Sequence, residues 1–124
     1  MIRVPVWVGG CLLLAAAALP LNAGEQLRMA VSPAQSFAPS NLRVRVRLEP
    51  DAQNRRLAVV ADSADFYRSS EVQLDGDQAP KTITIEFRGV PGGSYHVSSV
   101  VLDQSGHLRA SASQEVNVIA PFGQ

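Results

Sequence analysis

The sequence predicts an all-β domain made of two packed sheets, and three features of the chain lead to this expectation. Short runs in which apolar and polar residues alternate recur along the chain, and the most regular covers residues 42–49. Turn-forming glycine, proline and aspartate residues separate these runs. No stretch after residue 23 has the periodicity of a helix. We therefore expect a single antiparallel β-sandwich of about seven strands, which suits a domain of roughly a hundred residues.

The start of the chain has the features of a cleaved secretory signal. Arg3 provides a positive charge, residues 12–19 form an apolar core, and small residues follow Pro20 up to Ala23. The apolar core is too short to span a bilayer comfortably, so no stable membrane span is expected after cleavage. We predict a cut after Ala23, which leaves a domain of residues 24–124 in the periplasm or outside the cell.

Two other interpretations of residues 1–23 remain open. Residues 8–11 (VGGC) have the small residues of a lipoprotein signal that is acylated at its cysteine, although the apolar core continues well past Cys11. An uncleaved membrane anchor is the other alternative, and Pro20 together with the short apolar run argues against it. A cleaved signal therefore remains the prediction.

Signal cleavage would change the composition of the domain in two ways. It removes Cys11 and Trp7, the only cysteine and the only tryptophan of the chain, so no disulfide and no thiolate metal site are expected. It also removes Arg3 from the 11 basic residues, which leaves 10 against 11 acidic residues. This balanced charge argues against a nucleic-acid partner. The stability of such a domain must come from the packing of its core.

Alternation and turn signals define the expected strands one by one. They are residues 27–31, 42–49, 57–61, 66–74, 82–88, 95–102 and 107–119, with a loop carrying Phe37 after the first. Residues 57–61 are apolar on both parities, so this strand is either central and covered on two sides or part of a partner surface. In the last strand five apolar residues share one parity and are expected to share one face: Leu108, Ala110, Ala112, Val116 and Val118.

A break between two alternating runs is the most specific local signal in the chain. Pro91 fixes its own φ, and Gly92 and Gly93 can take positive φ, so the chain is expected to leave its sheet here. Tyr95 is at the start of the next alternating run, at a position whose side chain is expected to point inward. We expect its ring to be buried and its hydroxyl to return to nearby backbone.

A family resemblance is carried by residues 89–97 (GVPGGSYHV) together with a turn at residues 103–106 (DQSG). These segments resemble the corner between strands E and F of fibronectin type III and related immunoglobulin-like domains. The resemblance implies an immunoglobulin-like, Greek-key arrangement of the sandwich. The paired cysteines and the buried strand tryptophan of antibody-type relatives are missing from the expected domain.

The cleanest alternating strand also provides the main candidate for a binding surface. Arg43, Arg45 and Arg47 lie about 7 Å apart along its solvent face, a spacing that allows them to grip a row of anionic groups. In an immunoglobulin-like order this strand lies beside the one that carries Glu86 and Arg88, so both would share the face. The alternative is a solvated face whose charges deter stacking against other sheets.

His96 and His107 are the only histidines, and both are expected to be exposed near the last hairpin with Asp103 between them. A metal site would need a third ligand at a fixed spacing, so we expect no metal and no cofactor. Ser98 and Ser99 together with His96 and Asp103 suggest a hydrolase triad. However, His96 and Ser98 share the outward parity of one strand, and no oxyanion pocket is indicated. We therefore expect no catalytic residues.

The sequence favours an exported, noncatalytic binding or structural module over an enzyme. Its partner would be another protein or an anionic component of the cell envelope, bound through Arg43, Arg45 and Arg47. The alternative is a small periplasmic enzyme or metal carrier that uses His96 and His107. A concave site with convergent polar groups would favour the enzyme, whereas a flat face, a strand edge or loop tips would favour the binding module.

Overall fold

The computed structural model describes residues 26–121, in which the chain forms eight β-strands and one short 3₁₀ turn. The elements are β1 (Leu27–Ser32), β2 (Gln35–Phe37), β3 (Ser40–Leu48), β4 (Arg56–Asp62), β5 (Tyr67–Gln73), the turn Gly76–Gln78, β6 (Thr82–Val90), β7 (Gly93–Leu102) and β8 (Leu108–Ile119). The all-β prediction is confirmed. The expected signal segment, its cleavage site and Cys11 lie outside the described residues. No helix within residues 26–121 is long and apolar enough to cross a membrane.

The strands form two sheets that pack face to face. One sheet has three strands in the order β1-β3-β6, and the other has five in the order β2-β8-β7-β4-β5. Neighbouring strands are antiparallel except for β2 and β8, which are parallel. The short strand β2 occupies a segment for which the sequence predicts a loop, so the described residues contain one strand more than expected.

Alternation along the strands places an apolar core between the two sheets. In β3 the even-numbered residues are buried and the odd-numbered residues are exposed, from Ser40 to Leu48. The five-stranded sheet contributes Leu57, Val59 and Val97, none of which has exposed surface. Burial of such apolar surface is worth about 25 cal/mol per Å² and is the main stabilising contribution. The core therefore fixes which side of each strand faces solvent.

Side chains join the two sheets at both edges of the sandwich. On one side the Gln114 amide of β8 accepts a hydrogen bond from the Val31 N–H (3.0 Å) and donates one to the Val31 carbonyl (3.2 Å). On the other side the Arg68 guanidinium of β5 donates to the Arg88 carbonyl of β6 at 2.6 Å. These contacts satisfy backbone groups at strand edges, and they hold β1 and β6 against the larger sheet.

The chain crosses from the three-stranded to the five-stranded sheet between β6 and β7. Tyr95 follows this crossing, is fully buried, and donates its hydroxyl to the Pro91 carbonyl at 2.7 Å. The Phe66 ring packs edge-on against it, with centroids 6.1 Å apart and an interplanar angle of 82°. Burial raises the pKa of the Tyr95 hydroxyl above its ordinary value. The hydroxyl therefore stays protonated and available as a donor.

The glycines at this crossing act differently from what the sequence suggests. Gly92 and Gly93 can take positive φ, but in this segment the residue that does so is Gly89, where φ is 65°. Gly92 is needed for space, because a Cβ at this position would lie 2.7 Å from the Cβ of Ala120. The backbone of the crossing thus approaches the end of β8 too closely for a side chain.

The prediction that Leu108 shares one face with the other four apolar residues of its set is wrong, because β8 contains an extra residue near its start. Val101 pairs with Ala110 whereas Leu102 pairs with Leu108, so Arg109 is inserted between the two pairs. The insertion reverses the parity of Leu108, which is 61% exposed. The other four apolar residues of that set pack in or against the core as expected.

Candidate anion-binding face

The outward side of the three-stranded sheet carries a cluster of exposed arginines, which we call the arginine face. It consists of Arg28 on β1, Arg43, Arg45 and Arg47 on β3, and Arg88 on β6. All five are exposed, and the residue that precedes each of them along its strand faces the core. Successive arginines of β3 are about 7 Å apart along the strand. The cluster therefore spreads over three strands of a sheet whose orientation is fixed by the core.

Strand register places Arg28 directly opposite Arg47. Arg45 has the small residues Ala30 and Thr84 on its two sides. Residues that are directly opposite in an antiparallel pair have Cβ atoms about 5 Å apart, and like charges in that arrangement destabilise the sheet. The Arg28 and Arg47 side chains thus begin next to each other on one surface.

The arginines of β1 and β3 form no ion pair among the described residues. No carboxylate oxygen of residues 26–121 lies within 4.0 Å of their guanidinium nitrogens. Glu86 is opposite Arg43 in register, but its Oε1 accepts a hydrogen bond from Arg88 Nε at 3.0 Å. Glu49 continues the exposed parity of β3 at the end of the face. Five arginines and two glutamates give the face a net charge of +3.

This arrangement is suited to binding anions. A guanidinium offers planar N–H groups that bind carboxylate, phosphate or sulfate oxygens in pairs, and it stays charged at any physiological pH. Thr82 and Thr84 on β6 add hydroxyl groups beside Arg47 and Arg45. An open concavity of about 190 Å³ lies at one end of the face and is lined by Arg28, Arg47, Leu48 and Glu49. The other arginines lie on an exposed sheet surface, which favours an extended or flat partner over a small enclosed molecule.

The sequence correctly placed Arg43, Arg45 and Arg47 on one exposed face, and it missed the contribution of Arg28. Alternation in β1 predicts that Arg28 points outward, but only the pairing of β1 with β3 shows that it joins the cluster. Register between strands far apart in the chain cannot be obtained from periodicity. The alternating pattern alone therefore identified three of the four arginines of the face that form no ion pair within residues 26–121.

The structure does not bring the two histidines together. His96 Nδ1 lies 2.5 Å from Glu115 Oε2 across β7 and β8, whereas His107 Nδ1 lies 3.6 Å from Asp103 Oδ2 in the turn after β7. The two histidines are about 20 Å apart because most of the length of β7 separates them. The His107 N–H donates to Asp103 Oδ1 at 2.9 Å and is the main cause that lowers the pKa of this carboxyl.

The hydrolase arrangement considered for Ser98, His96 and Asp103 does not form either. Ser98 and His96 lie about 7 Å apart along the outward face of β7. Asp103 lies beyond the far end of that strand and binds the N–H groups of Ser105 and His107. Without contact between serine, histidine and acid, these residues have no means to activate a nucleophile.

A second polar cluster, at the end of the sandwich, is internally satisfied. Arg109 donates to Asn54 Oδ1 at 3.1 Å and to Asp51 Oδ2 at 2.8 Å. Asn54 in turn donates to the Glu49 carbonyl at 3.2 Å. These bonds anchor the inserted residue of β8 to the loop after β3. The cluster therefore has a structural explanation, unlike the arginine face.

The fold and the arginine face define a two-sheet β-sandwich with one cationic sheet surface. The following two solved structures are among those with a similar fold. A superoxide reductase (neelaredoxin) from Ignicoccus hospitalis matches with a TM-score of 0.59 and 15% sequence identity, covering 75% of this chain and 80% of that chain. A family 76 glycoside hydrolase from a bovine Bacteroides thetaiotaomicron strain matches with a TM-score of 0.53 and 11% identity. That match covers 74% of this chain but only 20% of the hydrolase chain. At these identities the likeness concerns the fold alone.

No protein-family model and no curated protein matches the sequence.

Proposed function

We propose that this chain is an exported, noncatalytic binding module whose arginine face binds an anionic partner. The observation that carries the proposal is that Arg28 lies opposite Arg47 and that no carboxylate oxygen of residues 26–121 is within 4.0 Å of either guanidinium group. Such a pair costs stability in the free protein, and an anion bound between the two guanidinium groups would remove that cost. A partner that binds here therefore gains from a surface that is already arranged and already charged.

The chemistry of the face restricts the partner. Residues between and beside the arginines are small or hydroxyl-bearing, such as Ala30, Ser32 and Thr84, and no large apolar side chain lies among them. A partner that inserts apolar groups would find little to contact. An anionic component of the cell envelope, or a protein with an acidic surface, can instead use charge-assisted hydrogen bonds along β3.

We also propose that the sandwich is immunoglobulin-like. The order β1-β3-β6 in one sheet and β8-β7-β4-β5 in the other is the order of strands A, B and E opposite G, F, C and C′. The bond from the Tyr95 hydroxyl to the Pro91 carbonyl supports the same assignment, because a tyrosine corner returns its hydroxyl to backbone a few residues upstream. A sandwich of this type presents flat sheet faces and loop tips for binding.

A small metal-using enzyme or metal carrier is the second candidate. It is favoured by the structural likeness to a protein described as a superoxide reductase, although that likeness concerns the fold alone. His96 would be its best ligand, with Glu115 adjacent to it, but no three His, Cys, Asp or Glu side chains of residues 26–121 are placed to hold a metal together. Titration of the protein with Zn²⁺, Cu²⁺ or Fe²⁺ tests this candidate. Stoichiometric binding that is lost in His96→Ala would favour it over the binding module.

The binding proposal is tested by comparing face variants on anionic probes. Protein carrying Arg43→Ser, Arg45→Ser and Arg47→Ser should lose retention on a sulfated polysaccharide resin and on vesicles of anionic lipid, while its melting temperature stays close to that of the parent. Arg55→Ser removes an exposed positive charge from outside the face and is the matched control for a single Arg45→Ser change. Equal retention of the triple variant and the parent on both probes would refute the proposal.

A further inference from the structure

Strand β6 forms one edge of the three-stranded sheet, and no strand within residues 26–121 pairs with it on its outer side. It runs for nine residues without a proline, and its pairing with β3 is regular from Thr82 to Phe87. Proteins usually shorten, kink or cover such an edge, because its exposed backbone groups can pair with a strand of another chain. We call the outer side of residues 82–86 the open edge.

The hydrogen-bond pattern shows which backbone groups of β6 point to the open edge. The Leu48 N–H donates to the Lys81 carbonyl at 2.8 Å, so these residues form a hydrogen-bonded pair of the antiparallel ladder. Such pairs alternate along the ladder, so residues 83, 85 and 87 bond to β3, and Thr82, Thr84 and Glu86 direct their backbone groups outward. Within residues 26–121 these outward groups have no hydrogen-bond partner.

The two ends of the open edge are also defined by hydrogen bonds. Arg68 Nη1 donates to the Arg88 carbonyl at 2.6 Å, which agrees with an outward direction for the backbone of residue 88 and closes that end. The turn Gly76–Gln78, which precedes β6, does not cover the other end, because the Gly76 N–H bonds to the Asn54 carbonyl at 3.0 Å. The outward groups between these ends span about 14 Å, enough for five residues of an added strand.

Two arginines lie behind the open edge. Register places Arg45 next to Thr84 and Arg47 next to Thr82, so that only small side chains separate the two guanidinium groups from the edge. An added strand would lie about 10 Å from β3, twice the spacing between neighbouring strands. Arginine and glutamate side chains are long enough to meet across this distance when they lean toward each other over a threonine. Acidic residues are therefore favoured opposite both threonines.

The third outward position has a different preference. Glu86 is the only acid on β6, and its Oε1 accepts a hydrogen bond from Arg88 Nε at 3.0 Å. A residue of the added strand that lies opposite Glu86 should therefore be basic or neutral. The residues between these positions would lie on the core side next to Ile83, which is half-buried at the margin of the core, so they should be apolar.

We propose that the open edge binds an extended acidic segment of a partner protein as a fourth, antiparallel strand of the three-stranded sheet. This inference rests on the proposed function, since it names the anionic partner as a polypeptide strand. Backbone hydrogen bonds supply the affinity, and the alternating side chains supply the specificity. The antiparallel direction follows from its more stable ladder. A second copy of this chain is disfavoured, because pairing two β6 edges joins two sheet faces that each carry a charge of +3.

A synthetic peptide, TVKVEVEVT, carries this pattern and tests the pairing by fluorescence anisotropy with the full sequence purified after export. N-methylation of its two glutamates removes the N–H groups that face β6 in the antiparallel arrangement, and it should weaken binding by at least about tenfold. N-methylation of the valines that follow them removes N–H groups that face solvent, and it should change binding by less than about threefold. Equal effects of the two modifications, or a larger effect at the valines, would overturn the proposal.

Variants of the protein separate the open edge from the arginine face. Thr84→Pro removes an outward N–H without breaking a bond to β3, and a proline is tolerated on the solvent side of an edge strand. This variant should lose the peptide and keep its affinity for dextran sulfate. Thr84→Val keeps the N–H and is the matched control, which should bind the peptide like the parent. Arg45→Ser together with Arg47→Ser should weaken both the peptide and dextran sulfate by about tenfold.

The outcomes distinguish failure of this inference from failure of the proposed function. A parent protein that does not bind TVKVEVEVT at about 1 mM peptide, or a folded Thr84→Pro variant that binds it like the parent, would overturn strand addition at the open edge and leave the arginine face unaffected. Unchanged dextran sulfate binding after loss of Arg43, Arg45 and Arg47 would instead refute the proposed function. The N-methylated peptides need no protein variant, so they decide the question even if Thr84→Pro does not fold.

Discussion

Arg28 of β1 lies directly opposite Arg47 of β3, and no carboxylate of the described residues is within 4.0 Å of either guanidinium group. The core residues beneath them fix both strands, so neither arginine can leave the shared face without disrupting the sandwich. Two positive charges are therefore held side by side at a cost to the free protein. A surface with this property is expected to be more stable when an anion is bound to it.

Replacing one arginine of the Arg28–Arg47 pair by an acidic residue should turn the destabilising repulsion between them into a stabilising attraction. Arg47→Glu should stabilise the free protein by about 0.2–1 kcal/mol, because opposite charges directly across a strand pair attract each other. The same change should weaken binding to a sulfated polysaccharide. Urea unfolding measures the first effect, and affinity measured on the same samples gives the second. Loss of stability together with unchanged binding would show that the opposition of the two arginines has no functional meaning.

Tyr95 should be a major determinant of stability. Tyr95→Phe leaves the Pro91 carbonyl without its donor and should cost about 1–3 kcal/mol, and Tyr95→Ala should cost considerably more because it also creates a cavity. Tyr67→Phe is the control, since Tyr67 is 63% exposed. Denaturant unfolding curves provide the measurement. Equal stability of Tyr95→Phe and the parent would mean that the hydroxyl bond does not support the crossing.

The Asp103 turn should make stability depend on acid pH. The lowered pKa of Asp103 means that folding favours its ionised form, chiefly because the His107 N–H binds the carboxylate. Its contribution is therefore complete above the ordinary aspartate pKa and is lost as the pH falls through the lower value in the folded state. Asp103→Asn keeps an acceptor but does not titrate, so its melting temperature should fall less than that of the parent between pH 6 and pH 3. If the melting temperatures of the parent and of Asp103→Asn fall equally over this range, Asp103 is not a source of the acid dependence.

Export should leave a protein that begins at or near Gly24. The prediction follows from the positive start, the short apolar core and the small residues before Ala23. Intact-mass measurement of the protein recovered after secretion provides the test. Retention of residues 1–23 would exclude a cleaved signal, and a mass increase from lipid on Cys11 would identify the lipoprotein alternative.

The sequence predicted the parts of this fold that depend on local pattern. In β3 the side-chain period of a strand coincides with the apolar pattern over residues 42–48, so its two faces could be assigned without knowledge of its neighbours. Tyr95 could be placed inside for a similar reason, since proline and glycine residues mark the end of one sheet just before it. Such signals need no information about distant parts of the chain.

The errors arose where the structure depends on contacts between distant segments. Leu108 has the parity of a core residue, but the insertion of Arg109 opposite β7 turns it outward. Arg28 belongs to the arginine face only because β1 pairs with β3 in one particular register. Pairing register and bulges are set by the packing of the whole sandwich, which a local pattern does not contain.

The affinity for an anionic probe at several salt concentrations tests the role of the arginine face most directly. Binding of the parent to dextran sulfate should weaken steeply between about 50 and 500 mM salt, because charge contacts at an exposed surface are screened over this range. The variant with Arg43→Ser, Arg45→Ser and Arg47→Ser should bind weakly and with little salt dependence, while Arg55→Ser should behave like the parent. If the triple variant retains the affinity and the salt dependence of the parent, the arginine face is not the binding surface.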